Sequence, residues 1–192
     1  MAERLIDPFS ASSAPTSSAP APSARKTAFI DLEASGLGSK SWPVEVAWGF
    51  VDGPPSSLLI RPDAAWPDEA WDKGAEALHG LTQAALRREG SDVREVCRTL
   101  NRALGGAGVY SDAPDWDAFW LMRLYAAGGV RQEFSILDYA RLIGELAGTR
   151  TGELQERAGR LAPRRHRASD DVAHLQTLYR LAVEGCGTRL TR

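Results

Sequence analysis

Three short apolar runs near the start of the chain, separated by turn-forming residues, constrain the fold more than any other feature. Residues 27–32 (TAFIDL) are typical of a buried strand, and residues 44–51 (VEVAWGFV) and 57–60 (SLLI) predict two more. Residues 52–55 (DGPP) are strong turn formers, so the second and third strands should form a hairpin. We therefore predict a sheet whose first three strands run antiparallel.

The remainder of the chain alternates helices with short strands. Two strands are predicted at 108–111 and 134–137. Helices are predicted at 92–104, from Pro114 onward, and at 138–147, 152–161 and 168–183. Three strands followed by alternating helix and strand predict an α/β fold with one five-stranded mixed sheet flanked by helices.

The composition separates one globular domain from a polar tail. Of the 192 residues, 43% are hydrophobic and 25% are charged, as in ordinary soluble domains. Residues 10–24 contain only Ser, Ala, Pro and Thr, which cannot bury enough apolar surface to offset the entropy of ordering. We expect a disordered tail over 1–24, one domain over 25–186 and a short tail over 187–192.

Charge and hydropathy argue against several classes of protein. No apolar run approaches the ~20 residues that span a bilayer. The first residues also lack the pattern of a secretion signal, so a cytoplasmic location is expected. The formal net charge of −2 argues against tight, non-specific wrapping of nucleic acid. The two cysteines, Cys97 and Cys186, predict neither a disulfide framework nor a zinc site.

Acidic residues stand at the ends of predicted elements in three places. Asp31 and Glu33 end the first strand two residues apart, so their carboxylates point to the same face. Asp117 lies in the first turn of a helix among apolar residues, where an ionised carboxylate needs a partner such as a metal ion. His166 and Asp171 lie at the entry to the last helix. Taken alone, each place also fits solvated or helix-capping residues.

The ordered combination is far more specific than its parts. A D-x-E pattern on the first strand, W-D-x-F-W-L after a later strand and H-x-A-x-x-D at the last helix resemble the DEDDh family of 3′→5′ exonucleases, which has a ribonuclease H-like fold. The resemblance is carried by segments 29–38 (FIDLEASGLG), 44–49 (VEVAWG), 78–82 (LHGLT), 110–121 (YSDAPDWDAFWL) and 166–174 (HRASDDVAH). These segments span essentially the whole ordered chain.

The resemblance implies a catalytic set and its cofactors. The implied ligands of two Mg²⁺ or Mn²⁺ ions are Asp31, Glu33, Asp117 and Asp171. Four carboxylates brought together without cations would repel strongly, and two such ions suit phosphodiester hydrolysis. His166 is the implied general base that deprotonates the attacking water. The implied reaction hydrolyses the terminal phosphodiester at the 3′ ends of single-stranded DNA or RNA and releases nucleoside 5′-monophosphates.

The second and third motifs each contain a rival acid. One extra residue precedes the aspartate of the second motif, so Asp115 is an alternative ligand. We prefer Asp117, because it keeps the family's spacing to the following aromatic residue. Asp112 stands where the family commonly has asparagine. In the third motif, the family's spacing from the histidine selects Asp171 over Asp170.

The resemblance also implies contacts with the terminal nucleotide. Ala34 and Ser35 stand where the family has two threonines, and this turn would bind the sugar, with Leu37 wedged against a base. His79 would line the same cleft, although helix capping or simple packing explains it equally well.

Basic and aromatic residues offer further substrate contacts. A cluster of arginines fits either phosphate binding or a solvated basic patch, and consists of Arg160, Arg164, Arg165 and Arg167. Three of the six tryptophans fall in core patterns, namely Trp48, Trp116 and Trp120. The remaining candidates for base stacking are Trp42, Trp66 and Trp71.

Several alternatives remain open at the level of the sequence. The residues do not distinguish RNA from DNA, and a homodimer is possible because some members of the family dimerise. A catalytically inactive nucleic-acid-binding or scaffold protein on the same fold is the alternative function. The presence of all five motif residues favours the enzyme.

Overall fold

The computed structural model describes residues 25–187, which form five strands and seven α-helices. The strands are β1 (Thr27–Ala34), β2 (Pro43–Phe50), β3 (Ser56–Leu59), β4 (Gly108–Ser111) and β5 (Ile136–Asp138). The helices are α1 (Lys73–His79), α2 (Gln83–Glu89), α3 (Val93–Leu104), α4 (Pro114–Gly128), α5 (Tyr139–Ala147), α6 (Thr151–Leu161) and α7 (Ala168–Gly187). The predicted tail over 1–24 lies outside the described residues. So does the predicted tail over 187–192, apart from residue 187.

All five strands form one mixed sheet in the order β3-β2-β1-β4-β5. β2 pairs antiparallel with both β1 and β3, whereas β4 pairs parallel with β1 and β5. The predicted α/β fold, the β2–β3 hairpin and the antiparallel start of the sheet are therefore confirmed. β5 begins two residues later than predicted, because Phe134 is buried against the ring of Tyr125 (centroids 6.3 Å apart) instead of joining the sheet.

β1 is a central strand that is buried on both faces. Its residues alternate between two cores: Ile30 packs with α3 and α4, whereas Phe29 packs with α5, α6 and α7. Because side chains repeat every two residues along a strand, Asp31 and Glu33 belong to the same face as Phe29. The two acids therefore point toward the side of the sheet that α7 covers.

α7 approaches β2 closely at Gly49. A Cβ atom at this position would lie 2.6 Å from Nε2 of Gln176 and 3.1 Å from Cγ1 of Val172. Any larger residue would displace the amide end of the Gln176 side chain and press on Val172, so glycine favours this approach. The contact holds the helix that carries Asp171 against the sheet.

Two short helices that follow β3, α1 and α2, were not predicted from the sequence. Each begins at a side-chain cap: Asp72 accepts a hydrogen bond from the Gly74 amide, and Thr82 accepts one from the Ala85 amide. Gly80 ends α1 in the left-handed conformation. These caps were the available signal, although both helices are only seven residues long. None of the helices between residues 25 and 187 is long and apolar enough to cross a membrane.

Candidate active site

Three of the predicted metal ligands meet at the carboxyl end of β1. Asp31 and Asp171 are buried, with 9% and 5% of their surface exposed, and Glu33 is half-buried. One carboxylate oxygen of each lies within 4.8 Å of the other two. The packing of α7 on the sheet thus brings Asp171 to the two acids of the strand.

Asp117 lies beside this group on the first turn of α4. It is 1% exposed, and its Oδ2 accepts a hydrogen bond from the hydroxyl of Ser111. The backbone of Leu32, next to Asp31 on β1, also favours its charged form. Asp115 is exposed on the same turn. The position of Asp117 favours it over Asp115, and its role as a ligand stays a prediction.

The four carboxyls resist ionisation in the absence of cations. Burial is the largest cause for each: it raises the pKa of Glu33 to about 7 and that of Asp117 to about 8. Burial and then the charges of Asp117 and Asp171 raise the pKa of Asp31 well above its ordinary value. The pKa of Asp171 is also raised, although nearby cationic side chains oppose the shift. Such a site holds protons near neutral pH unless cations replace them.

The donor set fits hard divalent cations. Oδ1 of Asp171 is buried and has no hydrogen-bond partner within residues 25–187. A buried carboxylate oxygen without a partner is costly, which points to a ligand at this position. Carboxylate oxygens are the ligands that Mg²⁺ and Mn²⁺ prefer.

His166 lies on the loop between α6 and α7, where sequence analysis placed it. Its backbone is in the left-handed region, with φ of 54°, and its side chain is exposed. The ring is close enough to Asp171 to counteract part of the effect of burial on the pKa of that acid. The exposed histidine thus lies within electrostatic reach of Asp171.

Three of the four clustered arginines form ion pairs within the protein, of which that of Arg160 with Glu156 is the longest at 4.0 Å. Arg167 forms a bidentate ion pair with the buried Glu45 of β2. Arg164 forms an ion pair with Asp112, which follows β4, and its charge also acts on Asp171. Glu45 was not predicted to have a functional role. Its place in a strand pattern gives no sign of a partner that is distant in the sequence.

A cavity of about 310 Å³ adjoins Glu33. Its lining includes three of the predicted substrate-binding residues, Ala34, Leu37 and His79. Leu37 is 70% exposed, and Leu78, which sequence analysis missed, is 55% exposed. Exposed apolar side chains around a cavity next to acids suit a flat aromatic group such as a nucleobase.

Ser35 and His79 are held by internal hydrogen bonds. The hydroxyl of the buried Ser35 donates to the carbonyl of Ala70 (3.0 Å) and accepts from the amide of Trp42 (3.1 Å), so it shapes the turn. Nδ1 of His79 accepts from the Leu81 amide (3.0 Å), and burial lowers the pKa of this histidine. The ring of His79 therefore both packs in the interior and lines the cavity.

The prediction for base-stacking tryptophans is wrong for Trp42 and Trp66. Both are buried, and their rings stack on each other with centroids 5.6 Å apart. Trp71 is half-buried against Trp42. Trp116, assigned to the core from its pattern, is instead 38% exposed and stacks on Trp120. The spacing of apolar residues along a helix does not show which of them other elements cover in the folded protein.

Comparison with known proteins supports the fold. No protein-family model and no curated protein matches the sequence. Among solved structures, exonuclease I of E. coli in complex with a dT13 oligonucleotide matches with a TM-score of 0.66 and 15% identity, over 87% of this chain and 42% of that chain. The zinc-bound form of the E. coli enzyme with single-stranded DNA matches with a TM-score of 0.63 and 15% identity, over the same shares.

A second organism provides a further match. Exonuclease I from Methylocaldum szegediense has a TM-score of 0.61 and 17% identity, over 84% of this chain and 41% of that chain. This chain thus spans about two fifths of the length of the chains it matches. The likeness shows that this chain shares the fold of these exonuclease I structures.

Proposed function

We propose that the protein is a metal-dependent 3′→5′ exonuclease that hydrolyses the terminal phosphodiester bond of single-stranded nucleic acid and releases nucleoside 5′-monophosphates. The observation that carries this proposal is the convergence of Asp31, Glu33 and Asp171 within 4.8 Å, with Asp117 beside them. The fold shared with exonuclease I, of which one structure contains a dT13 oligonucleotide, adds support.

Asp31, Glu33, Asp117 and Asp171 would hold two Mg²⁺ or Mn²⁺ ions. Such ions supply an activated water and stabilise the charge that develops on the scissile phosphate. The raised pKa values mean that the four carboxyls lose protons as cations bind, so the affinity for metal should increase with pH.

His166 would act as the general base. Its ring lies near Asp171, and its exposure leaves a path by which the proton taken from the attacking water can reach solvent. The flexibility of an exposed side chain would make catalysis depend on how the loop backbone is held.

The cavity beside Glu33 would bind the terminal nucleotide. Leu37 and Leu78 would provide an apolar surface for its base, and the backbone at Ala34 would contact its sugar. The exposed part of Trp116 offers a stacking surface outside the cavity for a neighbouring base. A single-stranded 3′ end of DNA or RNA fits this arrangement. The cytoplasmic location and the possible homodimer stay predictions.

A nuclease assay tests the function against the alternative of an inactive binding protein. 5′-labelled single-stranded RNA and DNA are incubated with Mg²⁺ or Mn²⁺ and either the wild type or Asp31→Ala. We expect a ladder shortening from the 3′ end with the wild type and none with the variant. Immediate release of the labelled terminal nucleotide would contradict the polarity. Equal inertness of both proteins on every strand would contradict catalysis and favour the binding protein.

A further inference from the structure

The first turn of α7 is attached to β2 by an ion pair whose carboxylate is buried. Glu45 is 1% exposed, and its two carboxylate oxygens accept hydrogen bonds from Nε (2.9 Å) and Nη2 (2.8 Å) of Arg167. The backbone amide of Ala168 also donates to Glu45 (3.2 Å). A buried carboxylate is stabilised by three donors of this kind, and the two-pronged geometry of arginine fixes the direction of the pair.

The ion pair joins the two sides of the candidate active site. Glu45 is the direct partner of Glu33 in the register between β1 and β2. Arg167 follows His166 immediately, and Ala168 begins the helix that carries Asp171. The Glu45 carboxylate therefore connects β2, which is paired with the strand that carries Asp31 and Glu33, to the loop that carries His166.

The loop has weaker support away from this pair. At its other end, Nδ1 of His174 lies 2.9 Å from the carbonyl oxygen of Ala162. The arginines of the two pairs are similarly exposed, 37% for Arg164 and 41% for Arg167, but the Asp112 side chain is 27% accessible and that of Glu45 only 1%. Because solvent weakens exposed pairs, the pair whose carboxylate is buried should hold the loop next to His166 more firmly.

We propose that Glu45 and Arg167 are positioning residues for His166. Their bidentate ion pair holds the loop over residues 163–167, and with it the left-handed backbone of His166, in the conformation that presents the imidazole to the acids. The catalytic part of this inference rests on the proposed exonuclease activity. Lysine cannot reproduce the two-pronged contact of arginine. A positive charge alone at position 167 should therefore not preserve the position of the loop.

Limited trypsin digestion tests the loop without reference to activity, because the loop contains its own cleavage sites at Arg164 and Arg165. We expect Glu45→Gln and Arg167→Lys to increase the rate of cleavage in this loop at least about fivefold over the wild type, since proteolysis follows the population of open conformations. Arg141→Gln is the matched control, because it removes the exposed ion pair with Glu145 on α5 (3.0 Å). An unchanged cleavage rate in both variants would overturn the proposal.

A double-mutant cycle tests whether the pair acts through the histidine. Glu45→Gln or Arg167→Lys should lower kcat about 10–100-fold with little change in KM, the usual cost of misplacing a catalytic group. In a His166→Ala background, the same changes should lower kcat no further. The same fold decrease in kcat in the wild-type and His166→Ala backgrounds would overturn the proposal, because it would indicate a general effect on packing.

The two variants and the two measurements separate the possible failures. If Glu45→Gln does not fold, Arg167→Lys carries the test, because 41% of its side chain is exposed and its charge is kept. If the wild type has no nuclease activity, the proposed function and the catalytic part of the inference fail together. The trypsin measurement then decides separately whether the ion pair holds the loop.

Discussion

The hydroxyl of Ser111 donates a hydrogen bond to Oδ2 of Asp117 and thereby joins the end of β4 to the first turn of α4. The same hydroxyl accepts a hydrogen bond from the amide of Ala113 (2.9 Å), so the turn between strand and helix is organised around it. Ser111 is fully buried and Asp117 is 1% exposed. The bond favours the charged carboxylate and fixes its orientation before any cation binds.

Replacing the acids of α4 one at a time separates the two candidate ligands of the second motif. We expect Asp117→Asn to lower kcat/KM at least about 100-fold, because it removes a carboxylate from the proposed metal site. Asp115→Asn is the matched control, since Asp115 is exposed on the same turn and should tolerate the change. Steady-state kinetics on a labelled strand measure both. A larger loss in Asp115→Asn would reverse the assignment.

Removing the Ser111 hydroxyl should weaken the metal site without removing a ligand. We expect Ser111→Ala to lower the affinity for Mn²⁺ about tenfold or more, as the loss of an orienting hydrogen bond to a metal ligand usually does. Isothermal titration calorimetry measures the affinity directly, independently of nuclease activity. The exposed Ser135 supplies the control variant Ser135→Ala. Equal Mn²⁺ affinity in Ser111→Ala and the wild type would show that the hydroxyl does not prepare the site.

The stability of the metal-free protein should depend on pH in the direction opposite to that of most carboxylates. Burial raises the pKa of Glu33 to about 7 and that of Asp117 to about 8. Between about pH 4 and pH 8 the native protein therefore holds protons that the unfolded chain has lost, and the free energy of unfolding decreases as pH increases. With EDTA present, we expect the thermal midpoint to fall from about pH 5 to pH 8, by roughly 2–4 °C for each kcal/mol lost.

Cations should reverse this trend, because they bind the ionised carboxylates and stabilise the folded state. Differential scanning calorimetry with and without Mn²⁺ measures both effects. Asp117→Asn is the control, since its dependence on pH should be smaller than that of the wild type. A midpoint that rises with pH in EDTA would contradict the raised pKa values.

Shortening Leu37 should impair substrate binding more than catalysis. The side chain lines the cavity beside Glu33 and is 70% exposed. We expect Leu37→Ala to increase KM about 5–10-fold with kcat within about twofold, because the apolar contact is made equally in the ground and transition states. Met122→Ala, at a position 58% exposed on α4, is the control for a change of exposed apolar surface. An unchanged KM in Leu37→Ala would remove the cavity from the proposed substrate path.

Local patterns predicted the strands and most of the helices. The alternation along β1 and the turn chemistry at 52–55 depend on near neighbours in the chain, so the hairpin and the antiparallel start followed from them. The short α1 and α2 have too few residues for a helical period to stand out. The exposure of Trp116 was missed because its surroundings come from elements that are distant in the sequence.

The sequence by itself determined that Asp31 and Glu33 share a face at the end of a central strand, because the side-chain period of a strand is set by local backbone geometry. Only the tertiary structure decided that Asp117 is buried beside Asp31. It also decided that Arg167 binds Glu45. Both outcomes depend on how a helix and a loop dock against the sheet, and docking is settled by the burial and pairing of side chains that lie far apart in the chain.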